Sequence, residues 1–262
     1  MTERGSFRHH RPRKRFGQHF LHDQNVIKKI LLAISPKPED CIVEIGPGLG
    51  AITLPLLKCC GTLIAIELDR DVIPRLQASA AQQGALHVIQ GDALKTDFRA
   101  LPPSGKRARL VGNLPYNIST PLLFHLLEQA DAIRDMHFML QKEVVQRMAA
   151  RPGGRDYGRL TVMLAARCRV EPLFHIGAGA FSPPPRVESA FVRLTPHATA
   201  PFPLSDPLRF AQLVSRAFSH RRKTVKNALQ GLVDETAIRT AGLDPAARPE
   251  TLSAADYARL AG

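Results

Sequence analysis

The sequence predicts an α/β fold: a mostly parallel sheet with helices on both faces, an antiparallel edge and a small all-helical C-terminal domain. Three observations carry this. Strand-length apolar runs alternate with helix-length segments from residue 41 to residue 150. A glycine corner, Gly46-Pro47-Gly48-Leu49-Gly50, stands where the first of these strands turns into a helix. Beyond residue 207 the pattern is helical only.

In chain order, residues 1–16 hold Arg4, Arg8, Arg11, Arg13, Lys14 and Arg15 against a single Glu3. They read as a basic arm, either a solvated tail or a phosphate contact. The next stretch, Lys14-Arg15-Phe16-Gly17-Gln18-His19-Phe20-Leu21, mixes polar and large apolar residues ahead of the first strand, which suits a lid over a ligand. An apolar helix follows at 24–34. Then come strand 41–45, helix 50–58, strand 62–67, helix 70–83 and strand 86–90. Strand 109–112, helix 121–129, strand 136–140 and helix 141–150 continue the alternation. A helical run at 158–167 precedes two extended stretches, 169–176 and 187–194, placed on either side of Phe181-Ser182-Pro183-Pro184-Pro185-Arg186 and read as the antiparallel edge. Residues 196–206 form a linker, and helices are expected at 207–220, 223–232, 234–240 and 253–260. The domains are therefore an arm and lid (1–22), an α/β domain (23–195), the linker, and a helical domain (207–262).

Apolar residues make up 44% of the chain, enough for a substantial core, and the net charge is +13. That imbalance points to a polyanion, nucleic acid before a membrane surface. Cys41, Cys59, Cys60 and Cys168 form no C-x-x-C pair, so free thiols in a reducing cytoplasm are expected. No apolar run is long enough to span a bilayer, and the basic N-terminus lacks the apolar stretch of a secretory signal.

The glycine corner carries the chemistry. Its spacing, E-x-G-x-G-x-G from Glu44 to Gly50, is tighter than the G-x-G-x-x-G of dinucleotide sites. It resembles the first motif of the class I (Rossmann-like) methyltransferases, which bind S-adenosylmethionine. Glu67 ends the next strand about 20 residues later, where a carboxylate suits a ribose diol. Asp92 follows the third strand; it is either an acceptor for an adenine amine or a helix cap. The fourth strand opens into Asn113-Leu114-Pro115-Tyr116-Asn117-Ile118-Ser119-Thr120-Pro121. In such a turn the Asn113 side-chain oxygen and the Leu114 carbonyl can accept both N–H bonds of an exocyclic amine. That would localise its lone pair and make it nucleophilic, while Pro115 stiffens the turn and Tyr116 stacks on the base. The bland reading has Asn113 satisfying local backbone. Phe181 is either a core residue or a second stacking face. Arg221, Arg222 and Lys223 read as a phosphate-binding edge or a solvated helix junction. No nucleophile triad stands out, and the histidines do not fall at zinc-ligand spacing, so no metal is expected.

The motifs K-R-F-G-Q-H-F-L, E-I-G-P-G-L-G, I-E-L-D, G-N-L-P-Y-N-I-S-T-P, F-S-P-P-P-R-V-E-S-A and R-R-K-T-V-K-N together resemble the small-subunit rRNA adenine N6,N6-dimethyltransferase family over residues 13–260. The resemblance implies dimethylation of two adjacent adenosines in the 3′-terminal hairpin loop of 16S rRNA, with S-adenosylmethionine as cofactor. It implies a small-subunit precursor as partner, a cytoplasmic monomer, and no membrane. By motif, His19, Leu21, Gly46, Glu67, Asp92 and Asn113 would border the cofactor. Asn113, Leu114, Tyr116 and Phe181 would hold the target base. Many relatives carry Asn where this chain has His19.

Three other readings are weighed. A large-subunit rRNA dimethylase that confers antibiotic resistance shares the core of the Asn-Leu-Pro-Tyr turn, but usually not its full run. An NAD-dependent oxidoreductase is disfavoured by the glycine spacing. A non-catalytic ribosome-assembly factor is disfavoured by the presence of Asn113 and Glu67.

Overall fold

The computed structural model describes residues 19–262. The expected basic arm, and the expected lid as far as Gln18, lie outside the described residues.

A short strand, β1 (Phe20–Leu21), pairs antiparallel with β8 (Phe181–Ser182). The main sheet has seven strands. β2 (Cys41–Ile45), β3 (Thr62–Glu67), β4 (Ala85–Gln90), β5 (Ala108–Asn113) and β6 (Ile133–Gln141) are parallel. β9 (Ser189–Pro196) runs antiparallel between β6 and the edge strand β7 (Cys168–Ile176), giving the order β4-β3-β2-β5-β6-β9-β7. β2 neighbours both β3 and β5, so the strand order reverses there, and crevices form at the carboxyl ends of strands at such a point.

The central strands are apolar throughout because both faces are covered. On one face α4 (Ser119–Leu127), α5 (Lys142–Met148) and α6 (Arg159–Ala165) bring Leu122, Leu126, Val145 and Leu164 onto Val43, Leu110 and Phe138. On the other, α1 (Gln24–Ile34), α2 (Thr53–Cys60) and α3 (Ile73–Ala80) bring Ile30, Leu56 and Ala80 onto Ile42, Val111 and Met139. Each such fully buried aliphatic side chain stabilises the fold by about 1.5–3 kcal/mol. Pro172 is tolerated because β7 is an edge strand whose register shifts there.

Several elements depart from the expected bounds, four of them for a reason visible in the backbone. α2 begins at Thr53 rather than residue 50, since Gly46, Gly48 and Gly50 take φ of +68°, +54° and +86°, outside the helical region. α3 is shorter than 70–83, with a proline in its first turn. β6 is longer than 136–140 because it pairs on both sides. The expected helix at 223–232 is only α8 (Val225–Ala228), and Gly231 follows with φ +85°.

The last helices are α7 (Pro207–Ser219), α8, α9 (Glu235–Thr240) and α10 (Ala254–Ala261). Asp206 and Asp234 cap α7 and α9, and Ser253 and Asp256 form a reciprocal cap on α10. Their apolar core (Phe210, Val214, Leu229, Ile238, Tyr257) also takes in Tyr157, Val162 and Ala166, so it is continuous with α6.

At the amino ends of the strands a buried charge network locks α1 to the sheet. The Arg109 guanidinium donates to Asp40 at 2.6 Å, to Asp135 at 3.0 Å and to the Ile34 carbonyl at 2.7 Å. Burial alone would raise the Asp135 carboxyl, but the His137 ring 3.5 Å away and hydrogen bonds from Arg109 hold it below its ordinary value. At the carboxyl ends β5 presses against β2. A Cβ on Gly112 would fall 2.5 Å from the Ile45 carbonyl oxygen. Gly112→Ala should therefore destabilise the protein by roughly 1–3 kcal/mol or more through overpacking against backbone that cannot yield. Urea unfolding would measure it, and an unchanged midpoint would contradict the close approach.

Candidate active site

The carboxyl ends of β2 to β5 open onto one cleft of about 780 Å³. The glycine corner forms its floor, Glu67 to Asp69 and Gly91 to Ala93 one wall, and Asn113 to Ile118 the other. His19 to His22 and Ser182 close it from above. The tertiary fold thus brings Glu67 and Asn113, 46 positions apart in sequence, into a single small-molecule cleft.

Glu67 ends β3 and is buried. Its Oε2 accepts from the Gly48 amide at 3.1 Å and its Oε1 from the Asp69 amide at 2.8 Å. Burial raises its carboxyl above the ordinary range, and these backbone bonds oppose the rise. Two acceptor oxygens are thereby fixed at the cleft wall, each with a further lone pair for a ligand hydroxyl. Gly48 is required twice over: its φ is positive, and a Cβ there would meet the Phe20 ring at 3.2 Å. Gly46 lies beside the turn, with its Cβ position 3.9 Å from the Asn113 carbonyl.

Glu44, which the sequence reading passed over, also faces the cleft. It is 2% exposed, and its Oε2 has no hydrogen-bond partner among the described residues. Burial pushes its carboxyl up to about 7, opposed by the neighbouring Thr53 hydroxyl and assisted by the charge of Glu67. The signal was present as the first acid of the glycine motif. An orphaned buried carboxylate beneath a cleft suits a cationic ligand group.

The turn after β5 is held from several sides. The Leu114 amide donates to Met139 O at 3.1 Å, while the Leu114 side chain is buried. Ser119 donates to the Tyr116 carbonyl at 3.1 Å instead of capping α4. The Tyr116 hydroxyl meets Ser189 Oγ at 2.8 Å, and burial raises its phenol. Asn113 Nδ2 donates to the His19 carbonyl at 3.0 Å, which settles the amide's orientation and turns its oxygen into the acceptor offered to a ligand. The His19 ring stacks on Tyr116 with centroids 5.9 Å apart, and its Nδ1 bonds Pro183 O at 2.8 Å. His19 therefore joins the overlying segment, the turn and the proline loop. Leu21 lines the cleft from β1.

Phe181 and Arg221 depart from the roles expected of them, and Asp92 takes one of the two roles expected of it. Phe181 offers no stacking face: it is 2% exposed, packed in the core with Leu21, Ile27 and Phe191, and Ser182 meets the cleft in its place. The β1–β8 pairing covers it. The Asp92 side chain is used as a cap, accepting from the Leu94 amide at 3.0 Å, although the residue still lines the cleft. Arg221 is not a free surface cation, since it donates to the Arg155 carbonyl at 2.8 Å. Among the described residues no cluster of potential ligands could hold a metal ion, and no helix is long and apolar enough to cross a membrane.

A reversing parallel sheet with an antiparallel strand inserted at one edge, a glycine corner and a ribose-suited acid define a class I methyltransferase. The family model described as ribosomal RNA adenine dimethylase matches residues 9–262, and the chain belongs to that family. It is 56% identical to the ribosomal RNA small subunit methyltransferase A of Nitrosococcus oceani, over 96% of this chain and 95% of that one. It is 55% identical to the protein of that name from Pseudomonas putida, over 96% and 94%. Among solved structures, a dimethyladenosine transferase from Plasmodium falciparum superposes with a TM-score of 0.77 at 27% identity, covering 92% of this chain and 96% of that one. The 23S rRNA methyltransferase ErmE shares the fold with a TM-score of 0.72 at 24% identity, covering 92% and 98%.

The Glu44 carboxyl gives a pH signature. In the fold it keeps its proton up to about 7, whereas its ordinary value is 4.5. Between those limits the folded state binds more protons, so stability falls as pH rises and is constant above the window. The loss is roughly 3 kcal/mol, and Glu44→Gln should remove it. Denaturation of both proteins at pH 5 and pH 8 measures the difference; parallel profiles would refute the assignment.

Proposed function

We propose that the chain dimethylates the N6 amino groups of two adjacent adenosines in the 3′-terminal hairpin loop of 16S rRNA, with S-adenosylmethionine as methyl donor, in the cytoplasm and as a monomer during small-subunit biogenesis. The observation that carries this is the shared cleft of Glu67 and Asn113. The residues present fit the cofactor: Glu67 would take the ribose hydroxyls, the Glu44 carboxylate the amino-acid end, and the wall at Asp92 and Ala93 the adenine. Gly46, His19 and Leu21 would enclose the methionine portion. When bound, the cofactor supplies an activated methyl group on a sulfonium, with a neutral thioether as leaving group.

The protein's own work is positioning. The Asn113 amide oxygen and the Leu114 carbonyl accept from the target amine and draw its lone pair out of conjugation. Tyr116 supplies a stacking face once the His19 ring rotates off it, the His19 carbonyl staying on Asn113, and that face is worth roughly 1–3 kcal/mol toward holding an extruded base. Loop adenosines are the least costly to extrude. The proton of the methylated ammonium passes to water, so no buried general base is needed. The RNA is held by phosphate contacts, with the basic arm and the Arg222-Lys223 edge as the proposed cationic surface. The large-subunit reading has less support, since the likeness to ErmE is one of fold, while identity to the small-subunit methyltransferases exceeds one half.

Asn113→Ala should slow methyl transfer by about 100-fold, near 3 kcal/mol in barrier, as when one preorganised polar group is removed from an active site. Its RNA affinity should be retained, and mass spectrometry of rRNA incubated with labelled cofactor gives the rate. Normal turnover by that variant rejects the acceptor role. Glu67→Ala should weaken cofactor binding by roughly 1.5–3 kcal/mol in calorimetry; an unchanged affinity rejects the ribose assignment.

A further inference from the structure

Against the turn after β5 lies a buried serine that the reaction as described does not use. Ser189 opens β9, is 0% exposed and does not line the cleft. It pairs with Gln141 of β6 on one side and Ile176 of β7 on the other, so its backbone is held in the sheet from both directions. The residue before it is pinned as well. The Lys142 amide donates to the Glu188 carbonyl at 2.9 Å, and the Lys142 ammonium meets the Glu188 carboxylate at 2.7 Å. Ser189 Oγ is therefore a fixed point in the sheet.

That fixed point holds the tip of an aromatic ring. Ser189 Oγ lies 2.8 Å from the Tyr116 hydroxyl. A buried hydroxyl has to find its partner within the protein, and Tyr116 supplies it. Ser119 holds the other end of the same residue by donating to the Tyr116 carbonyl at 3.1 Å. The ring is thus tied at backbone and tip, and it stacks on the His19 ring with 28° between the planes. The tip matters because the torsion of a tyrosine ring is broad, and a ring anchored at Cβ alone can tilt. When His19 rotates off, the stack that steadies Tyr116 is lost. The bond to Ser189 then keeps the exposed face in place. Burial raises the phenol, so it stays neutral and makes this bond as a hydroxyl.

We infer that Ser189 is a positioning residue for base stacking: it touches no substrate, and it holds the Tyr116 ring plane while an adenine replaces His19 on that ring. This role rests on the rRNA adenine reading above and deepens it, because it separates the two methyl transfers. An unmodified N6 amine has two N–H bonds, one for the Asn113 oxygen and one for the Leu114 carbonyl. Once a methyl has replaced one of those protons, which passes to water, a single N–H remains and one acceptor goes unused. The monomethylated base is then located by one hydrogen bond and by its stack, so its placement leans more heavily on Tyr116. Loosening the ring should therefore slow the second transfer more than the first.

The test uses the full chain, an rRNA hairpin fragment and S-adenosylmethionine. Mass spectrometry separates mono- from dimethylated adenosine, and rates are taken per cofactor-binding molecule counted by calorimetry. A misplacement of about 1 Å can cost about 100-fold in rate, so a tilted ring in Ser189→Ala should slow the second transfer by about tenfold and the first by about threefold. Monomethyladenosine then accumulates, while cofactor affinity is unchanged. Tyr116→Phe removes the same bond from its other end, so Tyr116→Phe/Ser189→Ala should be no slower than the slower single variant. Ser189→Thr and Ser189→Val add nearly the same volume, but threonine keeps the hydroxyl and should retain the second transfer where valine loses it. Equal loss by these two, an unchanged ratio of the products in Ser189→Ala, or additive losses in the double variant overturns the role. The chain has three tyrosines and no tryptophan, which gives a readout that needs no turnover. With an isotope label at tyrosine Cζ, the NMR signal of Tyr116 is assigned by its loss in Tyr116→Phe. It should shift in Ser189→Ala while those of Tyr157 and Tyr257 stay, and a stationary Tyr116 signal also overturns the role. If the unsubstituted protein transfers no methyl group to rRNA, the proposed reaction fails instead, and the tyrosine signal still decides whether Ser189 holds the ring.

Discussion

The pair of bonds from the Gly48 and Asp69 amides to the Glu67 carboxylate is the interaction on which the cleft depends. A buried carboxylate without donors would be neutral and mobile; with two backbone donors it becomes a fixed pair of acceptors. The Gly48 donor is available because the corner between β2 and α2 runs through left-handed glycine conformations, while the Asp69 donor comes from the turn just after β3. The Gly48 amide then points across to β3 instead of into a helix. The Glu67 side chain proposed to meet the cofactor is thus aimed by backbone geometry.

The opposite wall depends on a different contact. Asn113 is oriented by the carbonyl of His19, a residue 94 positions earlier in the chain. The segment that roofs the cleft and the residue proposed to activate the amine are therefore one unit. β1 is held by β8, the His22 amide donates to the Ala180 carbonyl at 2.9 Å, and His19 reaches Pro183. Anything that lifts this segment also releases Asn113, so the acceptor geometry exists only with the roof in place. This gives a physical reason for the proline loop at 183–185: it is a rigid rail against which the roof closes.

The two ends of the sheet divide the labour. At the amino ends, the Arg109 network fixes α1, and the roof leads directly into α1. Such a network need add little net stability, but leaving one of its charges unpaired would be costly, so it enforces one arrangement. At the carboxyl ends Gly112 lets β5 approach β2 closely, which sets the turn beside the glycine corner.

Much of this was legible from residues 41–150, because a buried parallel strand must be a short apolar run and a ligand corner must be glycine. The α/β class, the helical end, and the placing of Gly46, Glu67 and Asn113 at strand ends all followed from period and spacing. Phe181 was not legible: an aromatic in a proline loop reads the same whether a neighbouring strand covers it or not, and β1 covers it. Nor was Arg221, whose neighbours in sequence are exposed cations while the carbonyls it donates to lie more than 60 positions away. Glu44 was visible as a letter, but its elevated carboxyl comes from burial, which only packing creates. Local chemistry and periodicity, which are properties of adjacent residues, were determined by the sequence alone. Which acids lose their water, which cations keep theirs, and which distant carbonyl orients an amide were decided by tertiary structure, since each is a property of neighbours that the chain supplies from elsewhere.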